Sequence, residues 1–328
     1  MGSFRSLSPG DVRDVLVTFG LSPDEFQGHE PIAAGTINTN VLVKTASAMW
    51  FLRVNEGKSE DEVAREAAIV SHAAARGVST PLPRPARDGR LYAPWQDSWI
   101  SIFPWVPGRT LRRDEVGASH GRQVGEALAR LHLAGTGYAD HRPGRYEPDE
   151  ISRRFAAIAT RADPNLRAAV ETLGPELARL STVRRSDLPT GLIHGDLFVD
   201  NVLFTDDGRL SALLDFEQAS WGRLAYDVAV TLLAFAFGRE GFRDDVARAL
   251  LDGYCRLRAP LGSEQEGFGA ELAFASCRFA VTRITDVYLR RGQGAPGGKD
   301  FNRYLQRLAR VKQDWRPQGG VLSFEADR

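Results

Sequence analysis

Apolar positions along the first third of the chain change period twice. Val12 to Phe19 repeats with helical spacing and stops at Gly20. Ile32 to Ala34, Val41 to Thr45 and Met49 to Val54 then read as short strands. The middle one alternates apolar and polar residues, and Ala46-Ser47 supplies a turn before Met49. Ser59 to Glu62 (SEDE) is a capping-box start with Glu62 at the third helical position. It predicts a helix running to about Arg76 and closed by Gly77. Pro81, Pro83 and Pro85 keep the next stretch extended. Tyr92 and Trp99 to Phe103 read as two further strands around a turn.

Pro104 to Gly108 (PWVPG) reads as a linker, and beyond it the period is mostly helical. Helices are expected at about Ser119–Leu133, Glu147–Arg161 and Asn165–Leu180, then at Leu224–Phe237, Arg243–Leu257, Glu271–Arg291 and Asp300–Lys312. One β segment interrupts them. Leu192 to His194, Val202 to Thr205 and Leu210 to Leu214 are short strands, with Asp206-Asp207-Gly208 turning between the last two. The pattern is α+β: residues 1–103 form a β-rich N-terminal part and residues 104–328 a larger helical part. Gly292 to Gly298 is a loop.

That β segment also carries the strongest chemical signal. Ile193 to Phe204 (IHGDLFVDNVLF) contains His-x-Asp followed by Asn five residues after the Asp. A strand leads in, a hairpin follows, and an acid in Leu213 to Glu217 (LLDFE) ends the hairpin. Turns favour Asp and Asn for their own reasons, but a bare turn does not supply this context. Asp196 is placed to accept or orient a proton on an attacking hydroxyl. Asn201 and Asp215 are placed to ligate magnesium around a nucleotide's phosphates. His194 reads as a structural histidine, and Asp227 in Ala225 to Ala229 (AYDVA) as a helix cap that also braces the loop. These parts point to phosphoryl transfer.

Two weaker signals precede it in the chain. Ala33 to Asn40 (AAGTINTN) is a turn rich in small and polar residues. Its backbone N–H groups around Gly35, Thr36 and Asn38 suit a phosphate cradle. Arg53 ends the following strand, and a guanidinium forks onto phosphate or carboxylate oxygens. Its expected partner is an acid on the next helix. Of Glu62 and Glu66, Glu66 lies nearer the helix centre and is preferred.

Together these residues resemble the aminoglycoside phosphotransferase and choline kinase group, and within it the second type of homoserine kinase. The resemblance covers most of the chain. It rests on Gly35–Asn40 (GTINTN), Ala74–Pro83 (AARGVSTPLP), Val124–His132 (VGEALARLH), His194–Asn201, Leu214-Asp215-Phe216, Ala225–Val228 and Lys299–Leu305 (KDFNRYL). It implies a two-lobed protein-kinase-like fold, ATP as donor with Mg2+, Asp196 as base, and Asn201 and Asp215 as metal ligands. It also implies an adenine site near Ile102, Phe103 and Trp105. Arg53 departs from the group's strand lysine. Gly195 stands where protein kinases carry an arginine, and only ten residues separate Phe216 from Asp227. That leaves little room for a phosphorylated activation loop.

Charge then narrows the acceptor. Lys plus Arg and Asp plus Glu both total 42, so net charge suggests neither a nucleic-acid nor a membrane partner. Locally, Leu272 to Lys312 holds nine Arg and Lys against Asp286 and Asp300. A basic face disfavours a polycationic aminoglycoside and tolerates an amino acid. Arg283 is the candidate carboxylate partner and Glu217 the candidate ammonium partner. The reading is phosphorylation of the L-homoserine hydroxyl, a step toward threonine. Its alternatives are another small alcohol (aminoglycoside, choline or sugar) and a nucleotide-binding protein without turnover. Cys255 and Cys277 read as reduced buried thiols. No signal-peptide pattern opens the chain, and no apolar run reaches the roughly 20 residues of a membrane span. A cytoplasmic protein is expected.

Overall fold

The computed structural model describes residues 5–32, 38–238, 241–291, 300–315 and 322–324. Gly35, Thr36 and the Gly292–Gly298 loop lie outside these residues. The chain divides into two compact units: residues 1–108 with 211–217, and residues 109–210 with 218–328. The sequence pattern had put the division after residue 103. Among the described residues, no helix is long and apolar enough to cross a membrane.

The first unit is built on a five-stranded antiparallel sheet. Its strands are β1 (Phe26–Pro31), β2 (Thr39–Thr45), β3 (Met49–Asn55), β4 (Ala93–Trp95) and β5 (Ser98–Pro104), in the order β1-β2-β3-β5-β4. The register pairs Val41 with Leu52 and Leu52 with Ile102. Because side chains alternate along a strand, these residues share one face with Val43, Val54 and Ile100. That face packs on α1 (Pro9–Thr18) through Val12, Val15, Leu16 and Phe19. Arg53, Ser101 and Phe103 point to the other face. Helix α2 (Glu60–Ala74) starts at the expected capping box, with Ser59 and Glu62 exchanging side-chain and backbone hydrogen bonds. Of the expected strand Ile32–Ala34, residues 33 and 34 lie outside the described residues. The strand is Phe26–Pro31, and Ile32 N–H extends its pairing by bonding the Asn40 carbonyl at 2.9 Å. This edge strand has the sequence FQGHEP, too polar to show alternation, and an edge needs only one neighbour.

The second unit is helical: α3 (Ala118–Ala134), α4 (Pro148–Ala159), α5 (Arg167–Val183), α6 (Leu224–Phe235), α7 (Asp244–Leu257), α8 (Gly262–Arg283) and α9 (Asn302–Asp314). Helix α8 is buried on nearly every side and packs against α6, α5 and α9. It begins nine residues before the expected Glu271. Its first residues, GSEQE, are polar throughout and GFGAE adds two glycines, so no apolar period marks its start. A π-helical turn, Ile284–Tyr288, carries it on to Arg291. Helices α3 and α7 cross at glycines. A Cβ on Gly125 would lie 2.0 Å from the Leu250 carbonyl oxygen, and one on Gly253 2.1 Å from that of Arg122.

Two small sheets complete the architecture. β6 (Thr190–Ile193) pairs antiparallel with β9 (Ser220–Arg223), matching Ile193 with Ser220. Strand β9 was not expected, since SWGR has no alternation to read. The expected hairpin forms between β7 (Val202–Phe204) and β8 (Leu210–Leu213).

Candidate active site

Strand β6 ends at Ile193 and delivers His194, Gly195 and Asp196 into a loop of the second unit. The loop is held by Asp227 of α6, whose two oxygens accept from the main-chain N–H of His194 and of Gly195, both at 2.7 Å. His132 of α3 adds a third donor, Nε2 lying 3.1 Å from Asp227 Oδ2. A carboxylate only accepts, so the His132 proton sits on Nε2. In the neutral ring, Nδ1 then takes the Tyr254 hydroxyl at 2.8 Å. Arg258 donates to that hydroxyl at 3.0 Å and forks onto Glu264. Burial alone would raise the Asp227 carboxyl, but His132 and then His194 hold it below the usual carboxylate range. Asp227 therefore braces the loop as expected. The capping role does not apply, because the N-cap of α6 is Arg223, four residues earlier.

Gly195 has φ +74°, and a Cβ there would stand 2.8 Å from the Gln218 carbonyl oxygen. A side chain in this place needs both a rare backbone conformation and a shift of the neighbouring segment. His194 is fully buried beside it. Asn201 Nδ2 donates to the Asp196 carbonyl at 2.9 Å, closing the turn. Asp196 keeps 32% of its side chain exposed, and Arg278 Nη1 of α8 lies 3.4 Å from its Oδ1. The Arg278 guanidinium sits over the rings of Phe279 (3.7 Å) and Tyr146 (4.2 Å). Next to it a cavity of about 180 Å³ is lined by Tyr146, Glu147, Gly195, Trp221 and Arg278. Arg278 carries no motif and could be found in sequence only as one more base on a basic helix.

In the first unit, Arg53 Nη2 lies 2.6 Å from Glu66 Oε1, so the preferred acid is its partner. Lys58 shares the same carboxylate at 3.2 Å and bonds Glu217 at 3.0 Å. Asn38 Nδ2 also reaches Glu217, at 3.4 Å. Asp215 Oδ1 is 4.0 Å from Arg53 Nη1. Burial opposes both charges of the Arg53–Glu66 pair. The pairing outweighs it, raising Arg53 and, with the help of Lys58, lowering Glu66. Asp215 has φ +62°, a conformation that non-glycine residues seldom adopt outside functional sites and turns. Lys58, five residues after Arg53 in a turn, was missed. Its only sequence signal is adjacency to the capping Ser59.

The structure gathers Asn38, Arg53, Glu66, Asp215 and Glu217 in one cluster. Phe103 joins them, its ring 5.4 Å from the Arg53 guanidinium. Trp105 follows, its N–H bonded to the Met49 carbonyl at 3.0 Å. Ile102 points the opposite way into the α1 core and is fully buried. The ammonium role foreseen for Glu217 meets a carboxylate already engaged by Lys58 and Asn38. In the second unit, Arg283 is buried at the end of α8, donating Nη1 to the Asp300 carbonyl at 3.0 Å. Burial lowers its pKa, Arg113 and Arg303 add to this, and Tyr304 and then Asp196 partly offset it.

Comparison with known proteins adds independent findings. The sequence model of the phosphotransferase enzyme family matches residues 28–262. A homoserine kinase of Rhodospirillum rubrum is 38% identical over 304 residues, covering 90% of this chain and 92% of its own. A homoserine kinase of Agrobacterium fabrum is 32% identical, covering 94% and 95%. Among solved structures, an amicoumacin kinase in complex with AMP-PNP, Ca2+ and Ami superposes with TM-score 0.68 at 14% identity. That match covers 92% of this chain and 91% of the kinase. The fold is the protein-kinase-like fold of these phosphotransferases, with the expected β-rich and helical parts.

Proposed function

The chain belongs to the phosphotransferase enzyme family, and on that premise we propose that it transfers the γ-phosphoryl group of ATP to the side-chain hydroxyl of L-homoserine. One observation carries the chemistry: Asp196 is half-exposed on a loop whose backbone is fixed by the buried Asp227–His132 pair. A group that must meet a hydroxyl in one orientation gains from such support. The names of the relatives above support homoserine as acceptor.

Asp196 takes the hydroxyl proton as the acceptor oxygen bonds to phosphorus and the bond to the ADP oxygen breaks. Arg278 orients the Asp196 carboxylate. Arg53, with Lys58 beside it, supplies positive charge for the donor phosphates, and Glu66 fixes both cations. Gly35, Thr36 and Asn38 are assigned to the nucleotide's phosphates, and Phe103 and Trp105 to its adenine. Asn201 Oδ1 and the Asp215 carboxylate are hard oxygen donors, which fits Mg2+. When bound, that ion neutralises charge on the phosphates. Arg283 is assigned to the acceptor carboxylate as a buried guanidinium on α8, the helix that also carries Arg278.

A panel of acceptors tests the reading. Magnesium-dependent ADP release is measured with L-homoserine, choline, ethanolamine, kanamycin and simple sugars. The highest kcat/KM is expected for L-homoserine. Release with kanamycin or choline and none with homoserine would overturn the acceptor assignment.

A further inference from the structure

A second cavity, of about 490 Å³, lies in the helical unit between the Arg112–Asp114 segment, Phe237 just beyond α6, and α9. None of its lining residues comes from the His194–Asn201 loop. Arg112 and Arg303 stand exposed at its margin, Arg113 is half-buried, and Arg307 is buried in its wall with 2% exposure.

The charges do not balance. Arg112 pairs with Asp114 and Glu115. Among the described residues, Arg113, Arg303 and Arg307 make no ion pair, and Arg307 Nη1 is buried without a hydrogen-bond partner. The other bases of α9 do better: Arg310 meets Asp314 and Asp244, and Lys312 meets Glu176. What holds Arg307 is aromatic. Its guanidinium lies 4.3 Å from the Tyr304 ring and 5.1 Å from that of Phe237, and Arg283 covers Tyr304 at 4.4 Å. Rings attract a cation but leave its N–H groups unfilled. A buried guanidinium with an unmet donor is costly unless an anion completes it.

We propose that this cavity is an oxyanion-binding site, taking the carboxylate or phosphate of a small molecule on Arg307, with Arg113 and Arg303 completing the charge. The volume suits a small metabolite, and planar guanidiniums suit forked contacts with either oxyanion. Burial, and then the neighbouring Arg113, Arg283 and Arg303, bring the Arg307 pKa down to about 10. Such crowding of like charge is relieved by an anion. The site does not depend on which alcohol is phosphorylated.

Calorimetric titration of the full-length protein with inorganic phosphate, without nucleotide, tests this. Saturable one-site binding is expected. Arg307→Met keeps the bulk and removes the charge, and should weaken binding on the order of thirtyfold. Arg303→Gln at the margin should weaken it roughly threefold, and covers the case in which the first variant fails to fold. Arg310→Gln, on the same helix, should leave it unchanged. Titration in the presence of L-homoserine separates the sources. Competition assigns the site to an amino-acid carboxylate, and undisturbed binding assigns it to free phosphate. No saturable binding, or equal binding by wild type, Arg307→Met and Arg303→Gln, would overturn the proposal. Because no turnover is read, a wrong acceptor assignment leaves this result standing.

Discussion

Asp227 satisfies three buried donors at once: the N–H groups of His194 and Gly195, and His132 Nε2. Replacing it with Ala leaves all three unmet, and Asp227→Ala should cost about 3–5 kcal/mol in urea unfolding. An unfolding midpoint within error of wild type would show that water replaces the carboxylate. The same group sets a pH dependence. Asp227 and Glu66 both hold folded pKa values below their ordinary ones. Their contribution is fully present above the usual carboxylate value of about 4 and is lost as pH falls through the folded value. The urea midpoint of wild type should therefore fall from pH 5 downward, and Asp227→Asn should flatten that fall. At this scale the pairing of Asp196 with Asn201 was legible because both lie on one short loop. Arg278 and Lys58 were not, because each meets its partner through the fold: Arg278 reaches Asp196 across 82 positions, and Lys58 meets Glu217 from a turn without a motif.

Between elements, the α3–α7 crossing shows how backbone proximity replaces side-chain packing. Gly125 and Gly253 bring each helix against the other's carbonyl oxygens. No rotamer change relieves a Cβ that stands 2.0 Å from a backbone oxygen, so the helices must separate. Gly125→Val should cost at least about 3 kcal/mol, read as a lower thermal midpoint. Because α3 carries His132, activity should fall with it. A variant as stable as wild type would mean that the helices part freely. Elements with a strong local signal were legible: the Ser59–Glu62 capping box begins α2 where the sequence puts it. Elements defined by their neighbours were not. Strands β1 and β9 are polar or glycine-bearing segments made strands by pairing with β2 and β6. The start of α8 is hidden because its first residues, GSEQE, carry no apolar period and two glycines follow in GFGAE.

For the whole molecule, the family and the fold set the reaction class, and the proposed roles fall on named residues of each unit. The first unit holds the Arg53–Glu66–Lys58 cluster with Asp215; the second holds the braced Asp196 loop with Asn201 and Arg278. The kinase-like fold was legible because its catalytic residues keep a fixed order and spacing along the chain. The acceptor was less so, because the residues that would recognise it lie on helices without a motif. The most direct measurement is single-turnover transfer of the γ-phosphoryl group from Mg·ATP to L-homoserine, by wild type and by Asp196→Asn, with nucleotide affinity measured on both. The account predicts formation of the phosphate ester by wild type, and a loss of about 10²–10⁴-fold in rate for the variant with nucleotide affinity unchanged. Equal rates for the two proteins, or no ester from wild type while nucleotide binds, would contradict it.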